Sequence, residues 1–293
     1  MIEAQPSKTA LRVALRRAAH QLHDSKPLVF TDPLAVPILG PEFRDELART
    51  PSSDRRPFSA SLRAFMVARA RLAEDILAHG VATLGTQQYL ILGAGLDTFA
   101  YRNPFPNVRV FEVDHPATQA WKHICLTAAS IAIPPSAHLV PVDFEQQSLA
   151  AQLAAAGFDP TLPTVTAWLG VVPYLTLEAF RGTTNLLGTF APGSTTVFDY
   201  SQPREVLPPT EQLMLDSLSA RVAQAGEPFR IFFTPQSLEA ELSLAGLTVA
   251  EDLDGPTLTQ RFFAGRPDGL HLRGKGGRIC VAQVPIPAPS PSA

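Results

Sequence analysis

A glycine turn and three acids pose the first chemical question. Leu92-Gly93-Ala94-Gly95-Leu96-Asp97 follows directly on the apolar run YLILG at 89–93. Glycines there let the backbone bend tightly and approach a ligand with no Cβ in the way. A helix that starts after such a turn offers its N–H groups to an anion. The dinucleotide fingerprint needs a third glycine at 98, where Thr98 stands. A pyrophosphate cradle therefore gives way to a site for a smaller ligand with a carboxylate or a ribose. Asp114 closes the next run, VRVFEVD, 21 residues past Gly93. An acid at the carboxyl end of a second strand can accept both hydrogen bonds of a ribose diol. Asp143 closes a third run, HLVPVD, and Phe144 follows it. An acid there accepts from an exocyclic amino group, and the ring or backbone beside it flanks a purine. Taken singly, Asp97, Asp114 and Asp143 also read as turn or helix-cap residues. Their joint placement at one edge of three successive strands outlines a nucleoside-shaped site.

Arg69 is the next residue with chemistry to explain. On a helix expected from about Ser61 to Ala78, Leu62, Phe65, Met66, Leu72, Ala73, Ile76 and Leu77 form one stripe with Arg69 at its centre. A cation on a core-facing stripe needs an anionic partner, because an unpaired buried charge costs several kcal/mol. That partner is either a ligand carboxylate near the glycine turn or a neighbouring Asp or Glu. His20, His23 and His115 are candidates for a general base. His115, between Asp114 and Pro116, lies at the rim of the site and reads equally as a helix-start residue. Tyr174 and Tyr200, after the fourth and fifth strands, fall on the edge where an acceptor belongs and are expected to line its pocket. No nucleophile triad is evident, and no histidine context has metal-ligand spacing.

These residues need a scaffold, and the pattern supplies one. Thr9 to Leu22 has a helical apolar face, after which Pro27, Pro33, Pro37 and Pro41 break the chain into short pieces. RTPSSDRRP at 49–57 reads as a polar loop. Apolar runs at 89–93, 108–114, 138–143, 165–172 and 195–200 suit buried parallel strands. Helical stretches at 117–129, 148–156 and 177–187 alternate with them, which means right-handed crossovers and a sheet covered on both faces. An inserted helix is expected at 207–225 and another at 234–246. Strands at 247–253 and 277–285 follow, joined by a hairpin-like return, the last one antiparallel. The expectation is an α/β domain at 81–284 with an insertion at about 201–230, a helical cap at 1–80 and a disordered tail at 285–293, where PIPAPSPSA forms neither helix nor strand.

Composition narrows the class. Twenty-four basic and 27 acidic residues give a net charge of −3, so nothing in the balance tracks a phosphate backbone. Cys125 and Cys280 are the only cysteines, which excludes a cysteine zinc site and a disulfide scaffold and suits a reducing compartment. No run approaches the ~20 apolar residues that span a bilayer, and the N-terminus lacks a signal core. The expected setting is cytoplasmic, with a small-molecule acceptor, no nucleic acid, no membrane and no metal; a homodimer stays open. The apolar and aromatic flank Phe229, Phe232 and Phe233, with the N-terminal helices and the insertion, is expected to build the acceptor pocket. Two other classes compete: a nicotinamide-dependent dehydrogenase, which would need the glycine missing at 98 and a proton relay, and a catalytically silent nucleoside-binding protein.

VARARLAEDIL, YLILGAGLDTFAYR, VFEVDHPATQAWK and TAWLGVVPYLTLEAF, in that order, resemble the leucine carboxyl methyltransferase family. The resemblance is closest to its bacterial branch, which includes polyketide O-methyltransferases. It implies a Rossmann-like, seven-stranded, mostly parallel class I methyltransferase fold. It also implies S-adenosyl-L-methionine (AdoMet) across the strand ends, and methylation of a carboxylate or phenolic hydroxyl on a polyketide-like or aromatic acceptor. By position, Arg69 then binds the methionine carboxylate and Gly93, Ala94 and Gly95 form the cofactor turn. Asp114 with His115 lies at the ribose and Asp143 with Phe144 beside the adenine, while Arg17 lies near a basic capping position. Leu169 stands where the eukaryotic protein-methylating enzymes carry a glutamate, so neither that cofactor contact nor their protein substrate is carried over to this chain.

Overall fold

The computed structural model describes residues 7–49, 57–143 and 146–287. The polar loop expected at 49–57 (all but its two end residues), the tail from 288 onward and Phe144 lie outside the described residues. Three helices come first: α1 (Lys8–His23), α2 (Gly40–Arg49) and α3 (Pro57–Leu84). The rest alternates as β1 (Gln88–Leu92), β2 (Arg109–Asp114), α4 (Pro116–Ala128), β3 (Ala137–Pro141), α5 (Leu149–Ala155), β4 (Thr164–Trp168), α6 (Leu177–Gly188) and β5 (Thr195–Ser201). Then follow α7 (Pro209–Gln224), α8 (Pro235–Leu244), β6 (Thr248–Leu253), α9 (Gly255–Phe262) and β7 (Gly277–Gln283).

The seven strands form one sheet in the order β3-β2-β1-β4-β5-β7-β6. β1 to β5 run parallel to one another, and β7 runs antiparallel between β5 and β6. This is the mostly parallel α/β sheet of class I methyltransferases. The order reverses between β1 and its neighbours β2 and β4, and in open α/β sheets a ligand crevice forms outside the strand ends at such a point.

Local chemistry fixes most helix starts. Ser7, His115, Ser148, Thr176, Thr234 and Asp254 each accept a backbone N–H in the first turn of the helix they precede. Helix α3 exceeds the expected 61–78 at both ends. It stops before Gly85, whose φ of +64° belongs to the left-handed region. Its core stripe, including Val67, Ala68, Leu72 and Leu77, packs with Tyr89, Ile91 and Val165 on one face of the sheet. Leu90, Phe111, Trp168, Phe180 and Phe198 fill the other face.

Four expectations are corrected. First, the connection from β1 to β2 holds only a 3-10 turn at Phe99–Tyr101, not an α-helix. Pro104 and Pro106 oppose helix there, and α3 together with Phe99 and Ala100 already covers that face. Second, α2 forms where the prolines suggested only short pieces; Pro41 sits in its first turn, where a missing N–H costs nothing. Third, α9 lies within the return from β6 to β7, begun by Asp254 and Pro256. Fourth, β4 ends at Trp168 rather than Val172, because Gly170 turns the chain at φ +74° and a 3-10 turn follows at Val172–Tyr174.

Two glycines of α6 provide a matched test. A Cβ on Gly188 would lie 1.9 Å from the carbonyl oxygen of Ala245, whereas one on Gly182 meets nothing within 4 Å. Gly188→Ala is expected to destabilise by about 1–3 kcal/mol through overpacking, and Gly182→Ala to stabilise by up to about 1 kcal/mol through helix propensity. Urea unfolding of both variants checks the pair, and equal effects of one sign would contradict the packing described.

Candidate functional site

Above the carboxyl ends of β1 to β4 lies a cleft of about 1080 Å³, roofed by α1 and walled on one side by α3. The glycine turn forms its floor. Gly93 and Gly95 have φ of +72° and +48°, the left-handed region that glycine occupies without strain. The N–H groups of Gly93 and Ala94 both donate to the carbonyl of Val113, at 2.9 and 3.0 Å. Gly95 N–H donates to Asp114 Oδ2 at 2.6 Å. The turn's N–H groups are thus engaged internally, and no α-helix begins after it. The expected anion cradle is absent; what the turn provides is close backbone approach.

Asp114 ties that turn to β2. Its other oxygen accepts the N–H of His115 at 2.7 Å. Burial raises its pKa, while the N–H groups of Gly95 and His115 pull it back down. The Thr118 side chain supplies a third hydrogen bond, so about one of the roughly four lone-pair positions on the carboxylate stays open. His115 lines the same cleft, and its Nδ1 accepts Ala117 N–H at 3.2 Å, so it caps α4. Asp143 lies two residues past β3, because that strand ends at Pro141; it too borders the cleft. Asp97 is a turn residue: its carboxylate accepts Phe99 N–H at 2.7 Å and Arg17 Nη1 at 3.3 Å.

Arg69 reaches the cleft from α3, and of the two partners anticipated for it the neighbouring acid is present. Its Nη1 donates to Asp199 Oδ2 at 2.9 Å, and the two residues are 4% and 6% exposed. The second oxygen of Asp199 accepts Gly170 N–H at 2.6 Å. A Cβ on Gly170 would lie 2.8 Å from Arg69 Nη2, so a side chain there would push the guanidinium aside. Among the described residues, Nη1 alone of the three guanidinium nitrogens is bonded to protein, which leaves an edge able to take a carboxylate. Sequence reasoning missed Asp199 and Gly170. The available signal was an acid inside the otherwise apolar strand TTVFDY.

Arg17, on α1, is buried against Asp32 and donates to Thr98 Oγ1 at 2.9 Å. Thr98, in the place of the missing third glycine, donates a hydrogen bond from its own hydroxyl to Asp32 Oδ2 at 2.7 Å. Arg17 Nε is buried beside the cleft with no hydrogen-bond partner among the described residues.

A second chamber of about 390 Å³ adjoins the first. Thr9, Val13, Met66, Arg69, Gly170 and Tyr174 border both, so they form the dividing wall. Burial pushes the Tyr174 hydroxyl up to about 12, and its ring lies 5.2 Å from that of Phe229. Tyr200 lines only the second chamber; its hydroxyl donates to Asp252 Oδ2 at 2.9 Å, and burial raises its pKa. Of the aromatic flank, Phe229 alone reaches a chamber wall. Phe233 packs against Phe180 in the core, and Phe232 borders neither chamber. His20 and His23 also lie away from both. His20 is buried on Asp24 at 2.7 Å, and His23 faces the carbonyl of Leu47 at 3.1 Å. Their expected candidacy as base is withdrawn on that geometry. Leu169 faces the cleft.

Fold and cleft define a class I methyltransferase-like protein, and the comparisons agree. The family model described as leucine carboxyl methyltransferase matches residues 10–187. "Putative S-adenosyl-L-methionine-dependent methyltransferase YktD" of Bacillus subtilis (strain 168) is 33% identical over 92% of this chain and 95% of the relative. A methyltransferase similarly named, from Saccharopolyspora erythraea, is 36% identical over 62% of this chain and 61% of its own length. A solved DUF574 family protein from Streptomyces avermitilis shares the fold at a TM-score of 0.56, with 18% identity over 97% of this chain and 100% of that one. The chain belongs to the leucine carboxyl methyltransferase family and is a methyltransferase. The dehydrogenase reading falls with that membership. No helix among the described residues is long and apolar enough to cross a membrane.

The Arg69–Asp199 pair gives a direct test. Asp199→Asn keeps the shape but leaves a buried guanidinium without its counter-charge, a change that costs about 3–5 kcal/mol. At about 2–4 °C per kcal/mol for a chain of this size, the melting temperature should fall by roughly 6–20 °C. A melting temperature within a degree of wild type would show that the pair carries no such load.

Proposed function

We propose that the chain transfers the methyl group of AdoMet to an oxygen of a small acceptor with an apolar, polyketide-like or aromatic body. The observation that carries this reading is the pair of chambers meeting at one wall, the larger sized for a nucleoside and the smaller for an organic acceptor. The cofactor is AdoMet, and its sulfonium, when bound, supplies a methyl group activated for in-line displacement.

The cleft fits that cofactor residue by residue. The open edge of Arg69 suits the methionine carboxylate, held in place by Asp199 and Gly170. Asp114 suits a ribose hydroxyl through its remaining lone pair, and Gly93, Ala94 and Gly95 bring the backbone close beneath it. His115 adds the wall beside the ribose, and Asp143 lies where an adenine amino group can donate. Leu169 presents only an apolar surface, so no carboxylate contributes from the end of β4.

What the protein itself has to do is align acceptor and donor across the dividing wall. Orientation of that kind supplies ~7–11 kcal/mol of a displacement barrier. Tyr174 is the titratable hydroxyl on the wall. Burial pushes its pKa up to about 12 against a hydrogen bond with Thr9 that lowers it, so it stays protonated at neutral pH and is not a base for the acceptor. A carboxylate acceptor is already ionised and needs no base. The wall therefore favours a carboxylate over a phenol, which would have to lose its proton first.

Two measurements test this. Arg69→Ala should weaken S-adenosylhomocysteine (AdoHcy) binding by roughly 10- to 100-fold, the effect of losing a charge-assisted hydrogen bond, while Leu62→Trp in the second chamber leaves it unchanged. Second, methyl-labelled AdoMet offered with paired aromatic acids and phenols should give base-labile methyl esters, and Tyr174→Phe should retain that activity. Label found only on nitrogen, or only on a protein C-terminus, would overturn the reading.

A further inference from the structure

The second chamber has a direction and a charge. Phe58, Ser61, Leu62, Phe65, Met66 and Arg69 line it in order along α3. From the first to the last the helix rises about 16 Å, at 1.5 Å per residue. Met66 and Arg69 mark the inner end, in the wall shared with the cofactor cleft. At the outer end the Arg221 guanidinium lies 4.9 Å from the ring centroid of Phe58, and the backbone N–H of Arg273 donates to Ser61 Oγ at 2.8 Å. Arg12 reaches the same place, its Nη1 3.5 Å from the carbonyl of Arg221.

Between those ends the lining includes the apolar side chains Leu62 and Phe65 of α3 and Met214, Leu215 and Leu218 of α7. The exposed residues of the lining are Arg12, Arg221, Arg273 and one glycine, Gly277. Among the described residues none of these three arginines has a carboxylate partner. The two acids in the lining are already engaged. Asp199 holds Arg69, and Glu211 Oε2 accepts the N–H groups of Lys275 and Gly276 at 2.7 and 3.0 Å. An apolar throat with a solvent rim of unmatched guanidinium groups selects a particular kind of molecule.

We propose that the methyl acceptor is an amphiphilic anion whose apolar body fills the throat. Its anionic group rests on Arg12, Arg221 and Arg273, about 16 Å from the oxygen at the dividing wall. This rests on the O-methyl reading for the identity of the inner end. The charge selectivity at the rim stands apart from it and is measured without methyl transfer.

The test uses the full chain saturated with AdoHcy and two fluorescent probes. One is 8-anilinonaphthalene-1-sulfonate; the other is N-phenyl-1-naphthylamine, the same ring system without the sulfonate. Wild type should bind the sulfonate at least roughly tenfold more tightly than its neutral twin, the scale of a charge-assisted contact. R12A/R221A/R273A should lose most of that preference with AdoHcy affinity intact. L62W should weaken both probes. R12K/R221K/R273K, which keeps the charge, should retain the preference and serves if the alanine variant fails to fold. Equal binding of the two probes, binding of neither, or a sulfonate preference that survives the alanine substitutions would overturn the proposal. Intact charge selectivity without any oxygen methylation would count against the O-methyl reading alone.

Discussion

The guanidinium of Arg69 lies 2.9 Å from the carboxylate of Asp199, and both are nearly shut off from solvent. A cation on the core-facing stripe of a 28-residue helix has to be matched, and the match arranges its surroundings. Asp199 comes from β5, next to β4 in the sheet, and its second oxygen fixes the turn after β4 through Gly170. That turn favours glycine for its positive φ, and a Cβ there would press on the Arg69 guanidinium. Helix α3 and the ends of β4 and β5 are thereby locked at the point where the two chambers meet. A buried ion pair is weak evidence for stability, since desolvation offsets much of the attraction. Its value here is geometric: one edge of a buried guanidinium is held in place and the other is left open.

A second polar cluster sets the roof. Arg17 of α1, Thr98 after the glycine turn and Asp32 share hydrogen bonds, and Arg102 joins them at 3.3 Å from Asp32. Arg102 in turn donates to Glu74 of α3 at 2.9 Å. Helix α1 is thus fastened to the glycine turn and to α3 by charges that only one docking geometry satisfies. At its other end, Ser7 Oγ donates to Glu227 at 2.9 Å, past the end of α7. The start of α1 bridges both chambers, and Thr9 and Val13 belong to the wall for that reason.

Much of this was legible in sequence because short-range physics carried it. The strands read as apolar runs, each long helix of the sheet layer had its cap or period, and Gly93, Gly95 and Asp114 stood where a turn and a strand end place chemistry. The misreadings have a common cause, which is that long-range packing decided them. The helix expected after Asp97 is missing because α3 already occupies that face. The free N–H groups are missing because Val113 and Asp114, adjacent in space and 18 or more residues away in sequence, accept them. His20 and His23 looked titratable and useful, yet they serve the packing of α1. Asp199 stood out only as an acid in an apolar strand, and nothing local marks which helix such an acid will meet. Helix α9 was hidden in a glycine-rich return that composition alone reads as loop.

A crystal structure with AdoHcy bound is the most direct measurement of the central claim. The account predicts the amino-acid carboxylate within hydrogen-bond distance of the open edge of Arg69, with the Arg69–Asp199 contact kept and a ribose hydroxyl on Asp114. A carboxylate seated on Arg17 instead, with Arg69 making no ligand contact, would contradict it.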